Sequence, residues 1–325
     1  MCTVRRMDSS AAVTAGPIRS PRGRVLVLGS LACFCALAAA QPAGAADAVL
    51  EQAAKTGEVL MVGPADSPPL VRMGPKGEPE GYAIDLARRI DRQLKAELGA
   101  SVRIRFAPVD TTTTTVEAVA SGRAGLACGV AFSWEREKLV DFSLPIGLSG
   151  LRLLARSGGP DGSPASLAGQ PIAVVEGSCG AGVRGSLEPS ARPVSFPSLT
   201  QAVSAFEQRQ VAGVLGDTNV LAGLRHERRL TATALVPEQP YVSYGVGCIV
   251  PENNSRLLNV VNLAIASLFQ GYLEGRPDAV AAVAPWFGPT GVLTVPDERV
   301  RTFFESVLLS REGLVLVAPA PAPGP

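Results

Sequence analysis

The residues suited to chemistry are few and scattered. The densest group is FSWEREKLVDFSLP, residues 132–145, where Trp134, Glu135, Arg136, Glu137 and Lys138 stand between two apolar runs. Such a cluster is either a solvated helix face or a place where one charge turns inward toward a ligand. Glu135 and Glu137 read as solvated groups paired with nearby bases. Trp134 fits either a packed surface or a cleft mouth. The acids that stand apart are Asp66 in the turn-prone PADSPP, Glu176 near a loop, and Asp217, an N-cap residue type just before a helical run. No two of these acids are paired along the chain, so general acid–base chemistry finds no convincing constellation. Ser178 and Cys179 have no histidine nearby in sequence, and His226 sits among arginines. Cys128, Cys179 and Cys248 lack metal-ligand spacing, so no zinc site, other metal or cofactor is expected. One disulfide among these three is compatible with an oxidising compartment, with the pair left open.

The composition suits one large core or two domains: 325 residues, 46% apolar, with basic and acidic side chains nearly balanced at 30 and 29. No long basic patch points to nucleic acid. Arg5, Arg6, Arg19, Arg22 and Arg24 precede the apolar run VLVLGSLACFCALAAA, and Ala43-Gly44-Ala45 follows with a small-x-small pattern. Residues 1–45 therefore read as a signal peptide, which directs the chain out of the cytoplasm, into the periplasm or beyond. After it, no apolar run is long enough for a membrane span.

The elements that must position these residues follow from periodicity. Residues 83–99 are an amphipathic helix, with Ile84, Ala87, Ile90, Leu94 and Leu98 on one stripe and Gly99 to stop it. Residues 57–63, 101–109, 125–130, 171–177, 211–217 and 244–253 read as strands, while 148–156 reads as extended. Helices are expected over 111–122, 198–210 with Ser198 as cap, 219–229 and 255–275. VDFSLP is expected to turn. The strand-helix alternation occurs twice, and the second copy lies inside material that completes the first. This predicts two α/β lobes with mainly parallel sheets and a ligand cleft between them. Residues 291–325 fall outside this plan. A helix following Pro296, with Val300, Phe303, Phe304 and Val307 as its sticky side, would precede a Pro/Ala-rich tail.

The stretches GEPEGYAIDLARRI, SGRAGLACGVAFSWEREKLVDFSLP, SLAGQPIAVVEGSCGAGV, VAGVLGD and YGVGCIVPENN, in that order, resemble extracellular solute-binding proteins of family 3. These are periplasmic receptors for polar amino acids, similar to the ligand cores of ionotropic glutamate receptors. The resemblance covers about 57–290. It implies a two-lobed periplasmic-binding-protein-like fold of type II, with two hinge strands near 148–156 and 244–250. Lobe 1 would hold 55–148 plus 249–290, and lobe 2 would hold 156–243. The family's ligand α-carboxylate would fall to Arg136, whose guanidinium fork matches a carboxylate. Gly129, Val130 and Ala131 would offer backbone groups, with Ser133 beside them. Ser178, Cys179 and Gly180 would form an anion nest. Asp217 would pair with the ligand ammonium, and Asp66 would touch the ligand from the first strand-helix loop.

The resemblance has gaps. Ala131 lacks the hydroxyl of the family's threonine, Thr115 stands where an arginine is common, and Leu70 replaces an aromatic after a proline. Such losses remove stacking platforms, a role that Trp134 or Phe132 would then have to fill. The implied function is non-catalytic: a monomer that takes up a small carboxylate or amino acid for an ABC permease. The alternatives are an orphan module that senses a metabolite or exported peptide, and a cleft enzyme such as a dehydratase of this fold, with Glu176 as its acid.

Overall fold

The computed structural model describes residues 47–99, 101–109, 111–176, 178 and 191–312. The leader, Cys179 and Gly180 lie outside the described residues. Asp47 caps α1 (Ala48–Thr56), and its Oδ2 accepts from the Leu257 amide at 2.8 Å. Strand β1 (Glu58–Pro64) pairs in parallel with β5 (Arg103–Val109). Between them, β2 (Asp66–Ser67), β3 (Val71–Met73) and β4 (Pro79–Glu80) form a small antiparallel sheet. Helix α2 (Tyr82–Leu98) buries Ile84, Ala87, Ile90 and Leu94 of the expected stripe, with Leu98 half-buried at its end. Helix α3 (Thr112–Ala120) is capped by Thr111 and leads to β6 (Ala127–Ala131).

After the four-residue α4 (Trp134–Glu137), the expected turn at VDFSLP is absent. β7 runs unbroken from Val140 to Arg156 and belongs to both lobes. Pro145 is tolerated because it sits opposite Gly247 at a register shift, where a missing N–H costs the ladder little. The second lobe follows: α5 (Pro164–Leu167), β8 (Pro171–Val175), β9 (Arg192–Phe196), α6 (Leu199–Glu207), β10 (Gly213–Asp217), α7 (Thr218–Glu227) and β11 (Thr233–Val236). Ser198 caps α6 as expected. The chain returns along β12 (Val242–Pro251) into α8 (Ser255–Leu273) and α9 (Pro277–Val283).

The expectation of mainly parallel sheets is corrected. The largest sheet, of seven strands, is mixed: β12 runs antiparallel to β6 and β7, and β10 and β11 run antiparallel to β7, while only β10-β8-β9 are parallel. The antiparallel pairs arise where the chain leaves the first lobe and comes back. Cys128 and Cys248 face each other on β6 and β12 and form a disulfide spanning 120 residues of chain. A loop of that length is worth roughly 4–5 kcal/mol in the chain-entropy picture.

The strands β13 (Phe287–Gly288) and β14 (Leu293–Thr294) lead to α10 (Asp297–Glu312). This helix docks on α8, as its sticky side predicts. Val300, Phe304 and Val307 are buried, Phe304 stacks on Phe269 at 3.8 Å, and Tyr272 donates to Asp297 at 2.6 Å. Among the described residues no single helix is long and apolar enough to cross a membrane.

Candidate functional site

A cavity of about 100 Å³ lies where both lobes meet the hinge strands. A single water needs roughly 10–15 Å³ on this measure, so the space suits a small solute. The first-lobe wall is the end of β6 with α4 behind it. Gly129 has φ +92°, and a Cβ there would come within 3.0 Å of Leu70 Cδ1. Glycine thus lets the strand end turn while Leu70 closes against it. Ser133 caps α4 by accepting from the Arg136 amide at 3.3 Å, which sets the helix that carries Arg136. Arg136 lines the cavity, and its Nη1 donates to Ala131 O at 2.7 Å. Thr115, from α3, is buried and donates to Thr111 O at 2.9 Å.

The second-lobe wall is the end of β10. Asp217 Oδ1 caps α7 by accepting from the amides of Asn219 (2.9 Å) and Val220 (3.1 Å), and it accepts from Ser149 Oγ at 2.8 Å. Its Oδ2 accepts from the Tyr244 hydroxyl at 2.9 Å. Ser149 and Tyr244 are register partners on β7 and β12, so both hinge strands hold this carboxylate. Burial pushes Asp217 above the usual carboxylate range, although these four donors pull the other way. Ser178 also lines the cavity, with its hydroxyl turned back onto Val175 O at 2.7 Å.

The lobes touch beside the cavity. Thr200 Oγ1 donates to Asp66 Oδ2, and Arg72 reaches Glu227 at 3.4 Å. Gly223 packs so closely that a Cβ would fall 2.3 Å from Pro68 O.

Of the expected site residues, Gly129, Ala131, Arg136, Ser178 and Asp217 line one cavity. Ser133 does not. Its oxygen accepts from the Arg136 amide as the α4 cap. Asp66 is also displaced from the lining to the cross-lobe contact with Thr200. Glu176 is exposed outside the cavity. Trp134 is 72% exposed and packs edge-on against Phe132, so neither ring supplies a platform in the cavity. Glu137 departs from the solvated reading. Its Oε2 is buried without a hydrogen bond among the described residues, and burial beside Asp141 pushes the group up. The sequence reading missed Ser149, Tyr244 and Val220. A polar pair at the hinge crossing was the available signal. Among the described residues no cluster of three or more His, Cys, Asp or Glu is placed to hold a metal.

The arrangement sets a guanidinium and a carboxylate on opposite lobes around one small space. Comparison with known proteins fits this geometry. The profile of the bacterial extracellular solute-binding proteins, family 3, matches residues 60–273. The ABC transporter arginine-binding protein 1 of Escherichia coli (strain K12) is 27% identical over 207 residues, 63% of this chain and 82% of that protein. Among solved structures, the P235GK mutant of the arginine-binding protein of T. maritima superposes with a TM-score of 0.62 at 19% identity, over 73% of this chain and 98% of that one. An ancestral arginine-binding protein bound to glutamine gives 0.61 at 23% identity, over 71% and 97%. An ancestral amino-acid-binding protein, described as a precursor of cyclohexadienyl dehydratase, gives 0.61 at 21% identity, over 73% and 98%. These likenesses establish the two-lobed α/β periplasmic-binding-protein-like fold.

Proposed function

The chain belongs to the bacterial extracellular solute-binding proteins of family 3, and from that premise we propose that it captures a small zwitterionic solute between its lobes and presents it to an ABC permease. The observation that carries this reading is the pairing of Arg136 and Asp217 across one cavity. Arg136 would bind the solute carboxylate through two parallel hydrogen bonds, and Asp217 Oδ2 would accept from its ammonium. Gly129 and Ala131 would present backbone groups, with Ser178 opposite. A solute that touches both lobes favours the closed state by the difference in its contacts between open and closed forms. The name of the Escherichia coli relative supports the transport assignment. Membership of a solute-binding family makes the protein a carrier rather than an enzyme.

The same reading takes type II as the lobe topology, with lobe 1 over 55–148 plus 249–290 and lobe 2 over 156–243. It takes 1–45 as a cleaved export signal. Cleavage there leaves Asp47 next to the new terminus, where it caps α1. The Cys128–Cys248 bond suits an oxidising compartment outside the cytoplasm. The test is calorimetry on protein that has been unfolded, stripped of co-purified solute and refolded. Titration with the common amino acids should give heat for at least one. Folded protein that gives none with any of them sinks the proposal.

A further inference from the structure

We infer that Gly223 is the point at which the two lobes seat against each other, and that it sets solute affinity from outside the solute cavity. This rests on the solute-binding reading above and deepens it. Helix α7 lays one stripe on the first lobe. Val220 lines the cavity, Gly223 meets Pro68 and Glu227 meets Arg72. Spacings of three and four residues put these positions on a single helix face. The receiving segment of the first lobe is short, residues 66–72. It takes Thr200 of α6 on Asp66, Gly223 on Pro68 and Glu227 on Arg72. Ser67, Leu70 and Val71 of the same segment line the cavity. One piece of chain is thus both a wall of the solute space and the seat of the second lobe.

On local grounds glycine is a poor residue at this place. Gly223 lies inside the ten-residue α7, and no positive φ requires it there. Alanine would favour the helix. What excludes alanine is the other lobe. The three atoms nearest to a Cβ at this position would be Pro68 O at 2.3 Å, Pro68 C at 2.5 Å and Pro69 N at 3.0 Å, all of them first-lobe backbone. None can swing aside as the end of a side chain would, and the proline rings fix φ at both residues.

Glycine at 223 therefore favours the state in which the lobes touch, although it weakens the helix that carries it. A solute held by both lobes gains its contacts in that state. A methyl group at 223 would act as a spacer at the seat. It would keep Arg136 and Asp217 from closing on the same solute, while the separated lobes would accommodate it freely.

The experiment compares wild type with Gly223→Ala, both refolded and solute-free, by calorimetry with the common amino acids and by thermal unfolding. Gly223→Ala should weaken each amino acid that wild type binds by about 10- to 100-fold, the cost of overpacking a backbone contact. The factor should be the same for each, because Gly223 does not line the cavity. Without solute, the unfolding midpoint should stay level or rise by about 2 °C, the gain of alanine over glycine inside a helix. Affinities within about twofold of wild type overturn the inference and leave the solute-binding reading standing. A lowered midpoint also overturns it, since Gly223 would then serve general packing rather than closure. So does a loss that differs among the amino acids, which would place Gly223 in solute recognition. If wild type binds no amino acid, the solute-binding reading falls, and this inference with it.

Discussion

Arg136 and Asp217 face the same cavity from opposite lobes, yet they are held differently. Asp217 is buried at the end of β10 and accepts from two amides of α7, from Ser149 on one hinge strand and from Tyr244 on the other. Arg136 rides on a four-residue helix at the edge of the first lobe, half-buried, with Nη1 on the carbonyl of Ala131. The second-lobe charge is thus part of the scaffold as well as the site. The first-lobe charge sits on a small appendage, the four-residue α4. Binding and stability should therefore separate at Arg136 and travel together at Asp217.

Asp217→Ala probes that difference most severely. It removes a helix cap and takes an acceptor from the Ser149 and Tyr244 hydroxyls, the latter keeping Gly150 O at 3.2 Å. Loss of about 3 kcal/mol of folding stability is expected. Denaturant unfolding measures it, and a variant within about 0.5 kcal/mol of wild type breaks the comparison. Arg136→Ala should leave folding within about 0.5 kcal/mol but weaken a carboxylate solute about 100-fold, as two charge-assisted bonds disappear. If calorimetry finds wild-type affinity, Arg136 is not the anchor. If the variant is as unstable as Asp217→Ala, the appendage view of α4 is wrong.

Tyr244→Phe sharpens the comparison at smaller scale. It deletes one of the donors to Asp217 and keeps the ring. About 1 kcal/mol of stability should be lost. The Asp217 carboxyl should move further above its ordinary range, since one charge-stabilising bond is gone. NMR titration of the labelled carboxyl reads that direction, and a downward move contradicts the assigned role.

The order of helices and strands was legible because it is written locally. The stripe of α2, the caps at Ser198 and Thr111 and the sticky side of α10 all lie within a few residues of what they decide. The two charges that face the cavity, Arg136 and Asp217, were singled out through the family resemblance. Their support was not. Ser149 and Tyr244 lie 68 and 27 residues from Asp217, and only the crossing of β7 and β12 brings them together. The same distance hid the continuity of β7, because Pro145 reads as a breaker until its bulged position opposite Gly247 is known. Sheet polarity failed for a related reason. It depends on how the chain re-enters the first lobe, which no local pattern encodes. At α4 the assignments of neighbours were exchanged: Ser133 serves the helix, and Glu137 turns inward instead of outward.

The finest separation of the two walls is by pH. Burial raises the Asp217 carboxyl in the folded protein above its unfolded value. Between the ordinary carboxylate range and that raised value, the folded state holds more protons than the unfolded state. The contribution of Asp217 to stability therefore falls as pH rises through this window and recovers as pH drops. Solute binding should run the other way, because a protonated Asp217 no longer offers a charge to an ammonium. Lowering the pH through the window should weaken an amino-acid solute, while a matched carboxylate without the amine loses less. Asp217→Asn removes the titration from both measurements. The difference between wild type and this variant isolates the group from other carboxyls such as Asp297, which its bonds from Tyr272 and Arg301 hold below the usual range. If wild type and Asp217→Asn show the same pH dependence of amino-acid affinity, the ammonium contact is not at Asp217, and the second wall contributes structure alone.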